Sequence, residues 1–274
     1  GLGYYTSLHL AAKGARIIVA CRNEEKATKA INDIRRLIPG ADLDFVELDL
    51  NSLNMVKKSA LYIKEKYPPI DYLINNAGIM TPPKFSKTED GFESQFGVNY
   101  LGHFALTGHL INHMKNTKGS RIVTLGSLAE YQGNLDITNL NSENRYNKTK
   151  AYAQSKIACI MFSYELQRRL KANNSLIESL ASHPGWAATE LQKDNLIMRS
   201  LNPIFSHSSE AGAMPTIRAS TDSNAKGGEY YGPGGLFQLK GPAKKVTSRA
   251  ISYNKNLAKK LWDKSQEMTG VNYL

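Results

Sequence analysis

Cysteine is scarce: Cys21 and Cys159 are the only two in 274 residues. They lie far apart and in apolar surroundings, so a disulfide framework is excluded. Both read as buried thiols of a reducing compartment, which places the protein in the cytoplasm. Apolar runs of membrane-spanning length are lacking, and so is the charged-then-apolar opening of a secretory signal. Two catalytic motifs are also missing. His109 and His113 have zinc-helix spacing, but the stretch reads HLINH, without the Glu that follows the first His in such a helix, so no metal is expected. Gly126-Ser127-Leu128 does not form a Gly-x-Ser-x-Gly elbow, which argues against a serine hydrolase. There is no initiating Met. The chain opens on Gly1 and is expected to be a fragment of a longer protein, with any targeting or anchoring segment upstream.

What is present is an ordinary globular composition with a basic balance, 35 Lys and Arg against 24 Asp and Glu, a net charge of +11. Such a charge suits anionic partners, membrane surfaces included, so membrane association stays open. The basic residues are spread along the chain, however, and the dense run at 240–264 is interrupted by apolar residues at helical intervals. That run reads as a solvated helix face, and no nucleic-acid partner is expected. Asn147-Lys148-Thr149 and Asn173-Asn174-Ser175 match the glycosylation triplet, with no other sign of secretion.

Helix and strand patterns alternate along the chain. Gly1-Leu2-Gly3 opens a helix that Gly14 stops, and residues 16–21, rich in β-branched side chains, read as a strand buried on both faces. A helix at 23–37 capped by Asn23, a strand at 43–48, a helix at 52–66 and a strand at 71–74 follow. A long helical region at 89–115, a strand at 121–125, a polar insertion at 130–148, a helix at 149–171 and a strand at 175–181 come next. The remainder reads as a mobile segment with a short helix at 192–209, a core helix at 210–221, a short strand within 227–235 and a helix at 254–268. With no internal repeat and no linker, this is one α/β domain: a doubly wound, Rossmann-type parallel sheet covered by helices on both faces.

Several motifs stand at the expected carboxyl ends of strands, where open α/β sheets bind ligands. The Gly1-Leu2-Gly3 start offers close backbone approach and free N–H groups to a pyrophosphate. Tyr-x-x-x-Lys occurs three times, at Tyr62/Lys66, Tyr146/Lys150 and Tyr152/Lys156. On a helix each pair shares one face, so any of them could bring a phenol and an ammonium to one centre.

The order Gly-x-Gly, Asp49-Leu50, Asn75-Asn76-Ala77-Gly78, Asn99, Ser127, Tyr152-x-x-x-Lys156 and Pro184-Gly185 resembles the short-chain dehydrogenase/reductases. The phrases TEDGFESQFGVNYLGHFALT, AYAQSK, SHPGWAATEL and YYGPGG resemble their retinol-dehydrogenase-like branch, to which the catalytic domain of the WW-domain oxidoreductase also belongs. The likeness spans nearly the whole chain. It also separates the three tyrosines. In the family the Tyr helix follows the strand that ends in the catalytic Ser, which excludes Tyr62. Tyr146 stands among loop-forming residues, whereas Tyr152 leads into an apolar helix and is followed by Ser155-Lys156. One departure is clear: the family's motif is Thr-Gly-x-x-x-Gly-x-Gly after a first, central strand, and this chain begins at its last two glycines. The resemblance implies that this strand and the first glycine lie upstream, and that the sheet has a gap where the strand belongs.

The resemblance implies an oxidoreductase that moves a hydride between a nicotinamide cofactor and an apolar carbonyl or alcohol such as a retinal-like compound, an aldehyde or a ketone. Tyr152 would exchange the proton with the substrate oxygen, Ser127 would hydrogen-bond that oxygen, Lys156 would favour the phenolate and bind the nicotinamide ribose, and Asn99 would support a water linked to Lys156. Asp49, with Leu50 beside it, would contact adenine; Asn76, Ala77 and Gly78 would pack along the cofactor; Pro184, Gly185 and Thr189 would close around the nicotinamide amide. Arg22 stands where NAD-binding chains carry an acid, which favours NADP(H). The substrate pocket is expected from residues 130–148 and 186–209, and the family is often dimeric or tetrameric. The alternatives are a catalytically silent NADP(H)-binding sensor or interaction protein and a sugar epimerase, for which little chain remains.

Overall fold

The computed structural model describes residues 1–186 and 208–274. Numbered in chain order, the described elements begin with α1 (Leu2–Ala11), β1 (Ile17–Cys21), α2 (Glu24–Leu37), β2 (Leu43–Glu47), α3 (Leu53–Lys66) and β3 (Tyr72–Asn75). Next come α4 (Ser94–Phe96), a π-helical turn (Gly97–Leu101), α5 (Gly102–Leu110), β4 (Arg121–Leu125) and α6 (Lys148–Ala172). The last are β5 (Glu178–Ser182), α7 (Ser209–Thr221), β6 (Tyr230–Pro233), β7 (Ala243–Val246) and α8 (Lys255–Thr269). Local chemistry explains several boundaries. Gly14, at φ 81°, follows α1 in the left-handed region that other residues avoid. The Asn23 side chain accepts from the Lys26 amide at 2.7 Å and caps α2. Asn147 does the same for α6 through the Thr149 and Lys150 amides, so one glycosylation-like triplet is a helix cap.

The strands are mostly parallel and fall into two hydrogen-bonded sets, β1-β2 and β3-β4-β5-β6-β7, with only β7 antiparallel to its neighbour. β1 and β3 are not bonded to each other, so the division falls between them. This changes one expectation: β1 is not buried on both faces. All five of its residues, Cys21 among them, are partly exposed, because β1 pairs with β2 alone among the described strands. Parallel pairing in register, Asn75 opposite Thr124 and Leu125 opposite Ser182, brings the carboxyl ends of β3, β4 and β5 to one edge.

α6 is the centre of the packing. Every residue from 151 to 166 is buried, so over this stretch the helix is enclosed on all sides. One flank meets the largest core cluster, where Phe162 stacks on Trp262 at 5.9 Å and Phe104 meets Trp262 edge-on at 5.1 Å. Its buried polar groups are satisfied: the Gln154 amide binds the Asp136 amide and the Asn139 and Leu140 carbonyls.

Two further expectations are corrected. Residues 89–115 do not form one helix. Gly91, at φ 86°, turns the chain, the Glu93 carboxylate accepts from the Phe96 amide at 2.8 Å, and a π-helical turn then breaks the ladder. Residues 240–264 are not all helix either: Gly241, at φ 123°, and Pro242 lead into edge strand β7, and α8 starts only at Lys255. Within 130–148 the chain is anchored, since buried Glu130 accepts from the Arg249 amide at 3.1 Å and from Ser252 Oγ at 3.3 Å. Burial pushes the Glu130 carboxyl up, with the Arg249 amide and charge opposing. The segment expected at 192–209 lies, up to residue 207, outside the described residues.

Candidate active site

The shared edge of β3, β4 and β5 opens into a cavity of about 740 Å³. Ser127, Tyr152 and Lys156 line it together with Leu2, Asn76, Gly78, Pro184 and Gly185. Lys156 is buried and donates to the Leu125 carbonyl at 3.0 Å, while its Nζ stands 5.9 Å from the centre of the Tyr152 ring. The ammonium is thus fixed beside the phenol by the end of β4. Ser127 follows β4 by two residues, and its Oγ accepts from the Ala129 amide at 3.1 Å, which leaves the hydroxyl hydrogen to donate elsewhere.

Asn99 lies behind the cavity wall, in the π-helical turn, and is buried. Its Oδ1 accepts from the Ile79 amide at 2.7 Å; its Nδ2 donates to the Ile79 carbonyl at 2.9 Å and to Ser155 Oγ at 3.0 Å. Ser155 Oγ in turn donates to the Tyr152 carbonyl at 2.8 Å. One side chain therefore ties the chain after β3 to the helix that carries Tyr152. Gly78 fits closely here: a Cβ on it would lie 2.9 Å from Asn99 Oδ1 and 3.7 Å from Lys156 Nζ. The π turn itself gains a partner from α6, because the Cys159 thiol donates to the Asn99 carbonyl at 3.2 Å.

The other two Tyr/Lys pairs are elsewhere. Lys66 donates to Tyr62 at 2.8 Å on the exposed side of α3. Tyr146 precedes α6, and its hydroxyl accepts from Gln95 at 3.4 Å. The remaining residues of interest divide. Gly1 and Gly3 flank Leu2 at the start of α1, where a Cβ on Gly3 would stand 3.0 Å from Asn76 Nδ2. Ala77 offers its carbonyl to His103 rather than lining the cavity. Arg22 is exposed after β1; Asp49 accepts from the Asn51 amide at 2.9 Å after β2; Leu50 is buried in the core against Gly102. None of these three lines the cavity, and Thr189 lies outside the described residues.

Sequence patterns missed two contributors. The first is the turn at 236–239, which supplies Phe237, Gln238 and Leu239 to the cavity, whereas residues 130–148 supply only Tyr131 and Gln132. The second is His103. It is buried, and its Nε2 pairs with the Ala77 carbonyl at 2.9 Å, which makes Nε2 the protonated nitrogen and leaves Nδ1 buried with no partner among the described residues. Burial pushes its pKa down from 6.5 to about 4, opposed by the Ala77 bond and helped by the charge of Lys156. The unfolded chain therefore binds this proton more tightly than the folded one. The stability contributed by the neutral ring is complete above pH 6.5 and is lost as pH falls toward about 4. Over that range the loss is expected to be on the order of 3 kcal/mol. Urea midpoints of wild type and His103→Gln through that range check it: the variant should lose less stability, and an equal loss in both would contradict the assignment.

A nicotinamide dinucleotide suits this edge on the structure's own terms. Gly3 and Gly78 leave room only for backbone, the first turn of α1 has amides without helical partners, and Asn76 Oδ1 is buried with no partner among the described residues. Comparison with known proteins points the same way. The sequence model for "short chain dehydrogenase" matches residues 1–199. The chain is similar to human retinol dehydrogenase 13, with 39% identity over 99% of this chain and 82% of that protein. It is similar to human polyprenol dehydrogenase, with 35% identity over 99% of this chain and 82% of that one. Its fold matches the crystal structure of an uncharacterized protein from Mycobacterium Paratuberculosis with a TM-score of 0.83 and 34% identity, covering 100% of this chain and 91% of that one.

Proposed function

This chain belongs to the short-chain dehydrogenase family of NAD(P)-dependent oxidoreductases, and on that basis we propose that it transfers a hydride between NADP(H) and an apolar carbonyl or alcohol, with Tyr152 as general acid and base. The observation that carries this reading is the fixed pair on α6: Lys156, anchored to the Leu125 carbonyl, beside Tyr152 in the same cavity as Ser127. The cofactor, when bound, supplies or accepts the hydride. Gly3, Asn76, Gly78, Pro184 and Gly185 would hold it along the edge of the sheet.

In the reducing direction the Tyr152 hydroxyl gives its proton to the substrate oxygen, and the Lys156 ammonium stabilises the phenolate that remains. The Ser127 hydroxyl donates to the same oxygen and offsets the charge that develops there. Oxidation runs these transfers backward. Asn99 is a positioning residue: through Ile79 and Ser155 it holds the two walls at a fixed separation. The substrate side is apolar, with Ile79, Met80, Leu128, Trp186 and Phe237 on the cavity surface. The named relatives are dehydrogenases of retinol and polyprenol, and a long apolar alcohol or its aldehyde is the substrate class we assign here.

The cofactor preference rests on Arg22, an exposed cation directly after β1 with no acid beside it on that strand end. A guanidinium there pairs with a 2′-phosphate, whereas an acid would bond a 2′-hydroxyl and repel the phosphate. Arg22→Asp is expected to lower the ratio of NADPH to NADH affinity by about ten- to a hundredfold. Fluorescence titration of both cofactors against wild type and variant measures this. An unchanged ratio would remove Arg22 as the determinant.

A further inference from the structure

Phe237 and Gln238 are consecutive non-glycine residues with left-handed backbones, φ 49° and 58°. Side chains with a Cβ avoid this region, and for a bulky ring it is a true outlier. Such a conformation persists only where its surroundings enforce it, and these outliers gather at working sites. Here the enforcing contacts can be named. Gln238 Oε1 accepts from His183 Nε2 at 2.8 Å, and Gln238 Nε2 donates to the Thr247 carbonyl at 3.3 Å. The Trp186 amide donates to the Leu239 carbonyl at 2.8 Å. The Gln238 and Leu239 carbonyls press on Gly185 so closely that no Cβ would fit there.

The turn is thus fastened to the loop after β5 through the two residues that follow Phe237, and His183, which receives the fastening, is fully buried. Phe237 itself remains 77% exposed on the cavity wall, and Tyr131, 55% exposed, lines the same cavity from the chain after β4. Aromatic rings held on a cavity wall yet open to solvent are surface that a ligand covers rather than core.

We propose that Phe237 is a specificity-determining residue that packs against the apolar body of the substrate beyond the reacting carbon, and that Gln238 is the positioning residue that holds it there. This rests on the reading of the cavity as a site for an apolar carbonyl or alcohol. Substrates long enough to cover Phe237 gain from the contact; short ones with the same reacting group do not reach it. The disfavoured backbone keeps the ring at the wall instead of letting it fold into the core.

The test compares hexanal with hexadecanal, using the full chain, in the ratio of kcat/KM for the long aldehyde to that for the short one. Phe237→Ala is expected to lower this ratio about tenfold. Phe237→Gly should lower it equally while melting at a higher temperature than wild type, since glycine adopts the left-handed backbone without penalty. If Phe237→Gly is stabilised and keeps the ratio, the ring has no role in selection and the proposal is overturned. Gln238→Ala should also lower the ratio, and Gln238→Glu, which keeps an oxygen facing His183 but gives up the bond to the Thr247 carbonyl, should restore it in part; equal ratios in both variants would remove Gln238. Binding of the fluorescent alcohol pyrenyldodecanol separates this inference from the catalytic one. If neither aldehyde is consumed but Phe237→Ala binds the probe about tenfold more weakly than wild type, selection by Phe237 stands and turnover falls. If wild type does not bind the probe and does not favour hexadecanal, the inference fails.

Discussion

Tyr152→Phe is expected to lower kcat by about a thousandfold, the usual worth of a positioned general acid or base, while the protein still folds and still binds its cofactor. The ring keeps its packing on α6, where residues 151–166 are buried throughout, so only the hydroxyl is lost. Lys156 keeps its bond to the Leu125 carbonyl and its charge, and Ser127 keeps its place after β4. What disappears is the proton donor itself, with no other phenol among the described residues of the cavity except Tyr131, which stands on the exposed chain after β4. Cofactor consumption measures kcat, and fluorescence titration of the cofactor verifies binding. A variant that turns over at a tenth of the wild-type rate or better would show that Tyr152 is not the proton donor.

Asn99→Leu is expected to be the most damaging substitution outside the cavity lining. Leucine has the branched shape of asparagine and is the better helix former, so what the change takes away is the hydrogen bonds. The Ile79 amide and carbonyl and Ser155 Oγ all lose a partner at once. Ser155 Oγ keeps its bond to the Tyr152 carbonyl, whereas the two Ile79 groups are left unpaired at about 1–3 kcal/mol each, so a loss of roughly 2–6 kcal/mol in folding stability is expected from chemical denaturation. Gly78 adjoins Asn99 and Lys156 together, so the cofactor edge loosens with it and KM for the cofactor should rise. A folded, fully stable Asn99→Leu protein with normal cofactor affinity would contradict the positioning role.

Much of the architecture was legible in the chain because short-range rules govern it. Alternating apolar runs and helical periods place β1 to β6 and the long helices, Asn23 marks a helix start, and Gly14 marks a helix stop. The edge that carries the candidate site was legible for the same reason: parallel strands that end in Asn75, Leu125 and Ser182 must deliver the next residues to one side. The rest depends on contacts between distant residues. The π-helical turn at Gly97–Leu101 is supported by a thiol from Cys159, which no local pattern in GVNYL reveals. Glu130 is fixed by Arg249 and Ser252, so a stretch that reads as polar loop has a buried anchor. β7 is an edge strand with two lysines, and edge strands carry charges that mask their period. The turn at 236–239 contains no glycine at its left-handed positions, which removes the one signal that normally announces such a turn.

His103 shows the same limit within the site. Its side chain reads as an ordinary polar residue of a helix in GHFALT, yet it is buried and holds the Ala77 carbonyl. Nothing in its spacing distinguishes it from His109 on the same helix, whose imidazole is pushed down by burial and by the nearby charges of Lys64 and Lys57. Only the approach of the chain after β3 does so.

Transfer of a labelled hydride tests the central claim most directly. The protein would be incubated with hexadecanal and NADPH carrying deuterium in both positions at the reactive carbon of the nicotinamide, and the alcohol product examined by mass spectrometry. The expected result is hexadecanol with one deuterium on the carbinol carbon, formed by wild type and lost in Tyr152→Phe. Cofactor that binds tightly while no deuterium reaches the carbinol carbon of that aldehyde, or of a retinal or ketone offered in its place, would contradict the account and leave a binding protein on the same fold.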